Sequence, residues 1–301
     1  MTMISTIRLR AVAVLSACTL TLTGCFMTPG KFTSELAITG PDSFTFSYDG
    51  EIFFLGLSKL AQMGAAGDET FTPSTCYDDE TFDERDCSED ELAEQRADWD
   101  AGASERKAKR EQEAKQMAAI MGGIDPSDPK AADELVKLLS RQKGWERVVH
   151  KGDGVFDVSY RVSGTMGHDF TFPMIEGFPP INPFVQVYLR KGGQVRVNAP
   201  GFAVQSGDPT GMGAMMGMGA LTGLAAMGAS EEARKNGEDP ATIPGIPQME
   251  GTFTVRTAGG MRILANNTDE GPQAGTTGET LMWTISPRTT QAPTALIATT
   301  R

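Results

Sequence analysis

Few side chains in this chain have chemistry to offer, and most of those are cysteines. Cys18, Cys25, Cys76 and Cys87 are its four thiols, and His150 and His168 its two imidazoles. A thiol can be acylated, oxidised or used as a metal ligand. Cys76 and Cys87 bracket a short loop that carries Asp78, Asp79, Glu80, Asp83, Glu84 and Asp86. Carboxylates packed into so small a ring are the hard oxygen donors that calcium prefers. The loop lacks the EF-hand spacing, with its central glycine and closing glutamate, so a solvated acidic loop is expected and no metal is assigned. Neither histidine stands near a nucleophile signature. There is no G-x-S-x-G, no H-E-x-x-H, no phosphate loop and no dinucleotide fingerprint. The chain is therefore expected to be non-enzymatic, without catalytic residues or cofactors.

Cys25 has the most definite context. It closes Leu22-Thr23-Gly24-Cys25, which ends a stretch carrying Arg8 and Arg10 and then an uncharged apolar run from Ala11 to Leu22. A basic start, a short apolar core and small residues before the break are the parts of a secretory signal peptide. The run is shorter than the roughly 20 apolar residues that a membrane span needs. Leu22-Thr23-Gly24-Cys25 resembles the lipobox of bacterial lipoproteins. That resemblance implies that residues 1–24 are removed, Cys18 with them, and that Cys25 carries diacylglycerol and an N-terminal acyl chain such as palmitate. Phe26, not aspartate, follows Cys25. By the sorting rule of that family this implies a cell-envelope protein held in the outer membrane and facing the periplasm.

Export changes the expectation for the remaining thiols. In an oxidising compartment Cys76 and Cys87 are expected to pair. Closing so short a loop contributes about 3 kcal/mol in the chain-entropy picture. The alternatives are two free thiols or a metal pair, and no histidine or further cysteine nearby favours zinc.

Charge narrows the partners. The formal net charge of the 301 residues is −12. Such a surface repels nucleic acid and anionic lipid heads, and no basic patch is expected to offset it. The expected partners are the membrane, through the lipid anchor, and either a lipid ligand or another envelope protein.

The elements that hold these residues read as α+β: an antiparallel sheet, open and barrel-like, with a charged helical insertion. Residues 31–38 and 43–48 alternate apolar and polar around the turn Thr39-Gly40-Pro41-Asp42, as a hairpin does. Residues 64–143 form the acidic insertion. Ser88-Glu89-Asp90-Glu91 begins like a capping box, and the helix formers that follow run to Met121, with a break at Gly102. Asp128-Pro129 reads as the start of a further helix whose Leu135, Val136, Leu138 and Leu139 form an apolar face expected to pack on the sheet. From Trp145 onward, short alternating runs separated by glycine turns predict strands near 145–150, 155–162, 169–172, 184–189, 194–198, 251–257, 261–265 and 280–285. The core is thus expected from residues 25–63 and 144–301.

Within that core, residues 206–248 form a Met/Gly/Pro-rich segment. Gly211 to Ala229 is uncharged. A membrane span, a soft Cu(I) site and an apolar flap compete for it. The flap is favoured because strands flank it on both sides. Met212, Met215, Met216, Met218, Leu221 and Leu224 are its candidate contacts with an apolar ligand.

Three blocks, Pro29-Gly30-Lys31-Phe32, Asn198-Ala199-Pro200-Gly201-Phe202 and Ala265 to Pro272 followed by Trp283-Thr284-Ile285, resemble a family of uncharacterised proteobacterial lipoproteins. More distantly, lipobox, early hairpin and late strand with its tryptophan resemble the mycobacterial LppM-type lipoprotein domain. That resemblance implies a barrel-like fold with helix and a lipid ligand, and it transfers no catalytic residue.

Overall fold

The computed structural model describes residues 27–59, 71–78, 83–165, 167–178, 183–203, 247–275 and 277–299. Cys25 and the flap residues Met212, Met215, Met216, Met218, Leu221 and Leu224 lie outside them. The described chain is α+β and mostly sheet.

Fourteen strands are described: β1 Met27–Ile38, β2 Ser43–Phe54, β3 Cys76–Tyr77, β4 Glu84–Arg85, β5 Trp145–Gly152, β6 Val155–Thr165, β7 Phe170–Phe172, β8 Val185–Arg190, β9 Gln194–Asn198, β10 Glu250–Thr257, β11 Arg262–Asn266, β12 Gln273–Ala274, β13 Glu279–Ile285 and β14 Thr294–Ala298. One sheet has the order β12-β13-β10-β1-β2-β6-β5, a second β11-β14-β9-β8-β7, and β3 pairs with β4 alone. The expected barrel-like core takes the form of open sheets that do not close. The antiparallel expectation fails at one ladder: β1 and β10 run parallel, with Phe32 opposite Gly251 and Ile38 opposite Thr257. A parallel pair needs a long crossover. Here the chain passes through the five-stranded sheet before returning.

Alternation decides which side chains face inward. Phe32, Leu36 and Ile38 of β1, Phe46 and Tyr48 of β2, and Phe253 and Val255 of β10 are buried. From the second sheet, Phe172, Val185, Val187, Val195, Val197 and Ile297 join the same core. Aromatic rings fill the space between the layers. Phe46 lies 5.0 Å and Tyr48 5.1 Å from Phe172, and Phe32 stacks on Phe202 at 4.3 Å. Offset and tilted pairs at such distances add about 0.5–1.5 kcal/mol each to the area they bury.

Gly50 makes the bend in β2. Its φ is +151°, and a Cβ there would sit 2.3 Å from the carbonyl oxygen of Lys31. The β1–β2 register shifts between Pro29 and Phe32 at the same place. A glycine bulge lets one long hairpin curve over the core.

The insertion holds three helices: α1 Glu89–Ala101, α2 Ala103–Ile120 and α3 Ala131–Ser140. Gly102 separates the first two, as expected. Helix α1 buries no residue. Helix α2 reaches the core only near its end, where Met117 packs against it and Met121 is buried. Helix α3 buries Ala131, Leu135 and Leu139. It begins later than expected. Asp128 does not cap the helix itself. Its carboxylate accepts the Lys130 N–H at 2.8 Å in the preceding turn. Among the described residues, no helix is long and apolar enough to cross a membrane.

Candidate functional site

Of the expected site residues, Cys76 and Cys87 are the ones the structure describes. Cys76 and Cys87 are bonded, with S–S 2.03 Å and Cα–Cα 5.2 Å, and close the small β3–β4 ribbon. Gln95 of α1 holds that ribbon, accepting the Ser74 N–H at 2.7 Å. Arg85 meets Glu91 at 2.6 Å. Glu91 is also the far half of the capping box, accepting from Ser88 N at 2.8 Å while Ser88 Oγ accepts from Glu91 N. Arg85 and then Ser88 hold the Glu91 carboxyl down to about 2. His150 stacks on Phe156 at 4.8 Å on edge strand β5, and His168 is exposed in a loop. The two are not joined into a catalytic arrangement by any described hydrogen bond. Among the described residues, no three His, Cys, Asp or Glu side chains converge as metal ligands would.

A different site emerges on the outer face of the five-stranded sheet. Strand pairing aligns Tyr188, Arg196, Leu296 and Ala265 in one row across four strands. The next row is Arg190, Gln194, Ala298 and Arg262. Paired residues point to the same side of a sheet. This face therefore gathers Arg190, Arg196 and Arg262, and none of the paired strand positions on it is a carboxylate. None of the three arginines makes an ion pair among the described residues. The Arg190 guanidinium lies 5.8 Å from the Tyr188 ring centroid. No run of basic residues announces this face, because its arginines come from three separate strands.

A groove of about 440 Å³ opens there, lined by Arg190, Arg196, Ala265, Asn267, Thr294 and Leu296 among others. Its wall is built by Asn267. Oδ1 of Asn267 accepts from Trp283 Nε1 at 3.0 Å and from Thr294 N at 2.8 Å, while Nδ2 donates to the Ala292 carbonyl at 2.9 Å. Thr294 Oγ1 donates in turn to Asn198 Oδ1 at 3.3 Å. Asn266 is spent locally, accepting from Thr268 N and Oγ1. The amides shape the groove, and the Arg190 and Arg196 guanidinia line it without an ion pair among the described residues.

The outer face of the seven-stranded sheet differs in kind. Its arginines are matched across strands: Arg161 with Asp49 at 3.0 Å and with Glu146 at 3.6 Å, Arg256 with Glu35 at 3.0 Å, and Arg147 with Asp157. Exposed pairs of this kind contribute little stability, but they leave none of these three arginines without a carboxylate. A second groove, of about 430 Å³, lies among Glu35, Glu146 and Arg161 on this face, so charge of both signs lines it.

No family model, no curated protein and no solved structure matches this chain. The site has to be read from its own residues.

Proposed function

We propose that this chain is a lipid-anchored lipoprotein of the cell envelope, most simply of the outer membrane facing the periplasm. It acts there as a non-catalytic binding module for a lipid or another apolar envelope molecule. The lipobox-like Leu22-Thr23-Gly24-Cys25 supplies the anchor. One observation carries the reading: β1 opens at Met27, two residues after Cys25, and Met27 is already buried. Two extended residues reach only about 7 Å. An acylated Cys25 therefore leaves no linker, and the fold sits directly on the headgroups. The end of the sheet that would meet them holds Met27 opposite Phe54, with the Gly154 carbonyl accepting the Phe54 N–H at 2.8 Å. The aromatic filling between the sheets favours a ligand held at the protein surface over one enclosed between the layers.

The test is a Cys25→Ala chain expressed in a Gram-negative host and followed by acyl labelling and membrane fractionation. The proposal expects loss of the acyl label and release from the membrane fraction. Unchanged labelling and pelleting would overturn it. Mass spectrometry of the soluble form lacking Cys25 should show co-purified lipid, and clean protein would count against the binding role.

A second reading rests on the arm of α1 and α2. A helix that buries nothing of its own, as α1 does, is either solvated or waiting for a partner. In this reading the arm docks another envelope protein. Deleting residues 88–121 should then abolish a crosslinked partner, and unchanged crosslinking would count against it.

A further inference from the structure

We propose that the outer face of the five-stranded sheet is the binding site for an anionic amphiphile, a phosphate-bearing lipid headgroup with the start of its apolar chain. The inference deepens the lipid-binding reading by naming the site and the ligand class, and it depends on that reading only for where the ligand comes from.

Charge is the first argument. The chain as a whole is strongly acidic, at −12. Its acids are absent from the paired strand positions of this one face, where Arg190, Arg196 and Arg262 stand without ion pairs among the described residues. On the opposite sheet every comparable arginine faces a carboxylate. Guanidinia without an ion pair among the described residues are open to an anion that arrives from outside. Arginine's planar fork matches a phosphate through two parallel hydrogen bonds, which lysine cannot do.

Geometry is the second. Arg190 and Arg196 lie on adjacent strands, two residues apart in register, because Arg190 pairs with Gln194. Diagonal neighbours at that offset are within reach of one another's long side chains. Both line the groove. Two forks can therefore close on one phosphate group from two sides.

The floor is the third argument, and it separates an amphiphile from free phosphate. Ala265 and Leu296 line the same groove and stand in the row of Arg196. The carboxamide of Asn267 is already committed to Trp283, Thr294 and Ala292, and the Asn266 oxygen to Thr268. A ligand that pairs its anion with the arginines must set its remaining part on alanine, leucine and the arginine stems. The volume of about 440 Å³ is that of a small-ligand site and fits a headgroup with its first methylenes.

The test uses the full chain in a neutral, non-ionic detergent, titrated calorimetrically with three probes. Dihexanoylphosphatidylglycerol should bind. Dihexanoylphosphatidylcholine, with the same chains and no net charge, should bind at least tenfold more weakly, and inorganic phosphate likewise. The Arg190→Gln/Arg196→Gln double variant should weaken the phosphatidylglycerol affinity at least tenfold. Arg161→Gln, on the other sheet, should leave it unchanged. Both arginines point outward, so the urea midpoint of the double variant should match wild type. As a second handle, Leu296→Glu on the groove floor should also abolish binding. Absence of phosphatidylglycerol binding by wild type, or equal binding by the double variant, would overturn the site. Equal affinity for phosphatidylcholine would overturn the anionic requirement, and equal affinity for inorganic phosphate the amphiphilic one. The Cys25→Ala fractionation bears on the anchor alone, so the two ideas fail separately.

Discussion

The indole N–H of Trp283 donates to Oδ1 of Asn267 at 3.0 Å, and the same oxygen takes the backbone N–H of Thr294 at 2.8 Å. Trp283 belongs to the seven-stranded sheet and Thr294 to the five-stranded one. A single carboxamide thus ties the two layers at one edge. Asn267→Ala removes the acceptor and orphans two donors, one of them on a buried ring. Leaving such donors unsatisfied costs about 2 kcal/mol or somewhat more. Asn267→Asp keeps the shared acceptor and sets a carboxylate oxygen against the Ala292 carbonyl in place of the Nδ2 donor, so its cost comes from that contact and should be the smaller of the two. Urea unfolding midpoints of the two variants measure the difference, and equal losses would show that the shared oxygen is not what matters.

Tyr48 predicts an alkaline limit to stability. Its ring is fully buried and its hydroxyl donates to the Glu51 carbonyl at 2.7 Å. Burial, and then the charge of Glu51, push its ionisation well above the ordinary value of 10.0. In the unfolded chain the phenol ionises near 10, while in the fold it keeps its proton. Above that pH the unfolded state binds fewer protons, so stability falls as pH rises. The contribution is complete below pH 10 and is lost above it. Tyr160, whose ionisation burial also raises, adds to the same limb. Tyr48→Phe should cost about 1 kcal/mol at neutral pH through the lost hydrogen bond, and it should flatten the decline above pH 10. Parallel alkaline declines in wild type and variant would refute the assignment.

Glu91 predicts an acid limit confined to the arm. Its carboxyl is held at about 2 against an ordinary 4.5 by Arg85 and Ser88. A depressed carboxylate stabilises the fold above the unfolded value and gives that up as pH falls through the folded one. The start of α1 should therefore loosen between about pH 4.5 and pH 2. Carboxyl chemical shifts should place the Glu91 midpoint near 2. Glu91→Gln should remove the acid-dependent change at the start of α1, seen as amide exchange of residues 88–92, and leave the sheets untouched. A midpoint near 4.5 would mean that the capping box does not hold in solution.

Reduction of Cys76–Cys87 should act locally. The β3–β4 ribbon pairs with neither large sheet and meets α1 through Gln95. Amide exchange after reduction should rise in residues 71–78 and 83–95 and stay unchanged in β1, β2, β6 and β10. The chain-entropy loss for a loop of this length is about 3 kcal/mol, but the ribbon alone should feel it. Global unfolding on reduction would show that the insertion and the core fold as one unit.

What could be read from the chain was what neighbouring residues decide. The capping box at Ser88, the break at Gly102 and the β1–β2 turn are written within a few residues, and they stand where expected. The last strand, Thr294–Ala298, was not anticipated, because five residues after a proline carry too little alternation to stand out. The parallel β1–β10 pair joins residues more than 200 positions apart, and no local pattern encodes its direction. The arginine face was missed for the same reason. Arg190, Arg196 and Arg262 are far from forming one run in the chain, and only the ladders through β8, β9, β14 and β11 put them on one face. Arg190 and Arg196 fall on even positions of a hairpin whose odd positions are apolar, which was the one available hint.

The place of β1 has a mechanical consequence. It is an interior strand, with β10 on one flank and β2 on the other, and its first residue stands two positions from Cys25. A tether at Cys25 pulls β1 along its own axis. Tension then loads two ladders at once in shear, so their hydrogen bonds share the force instead of breaking one after another from an edge. An anchor attached to β5 or β12 would peel. The anchor proposed at Cys25 would instead drag the middle of the sheet.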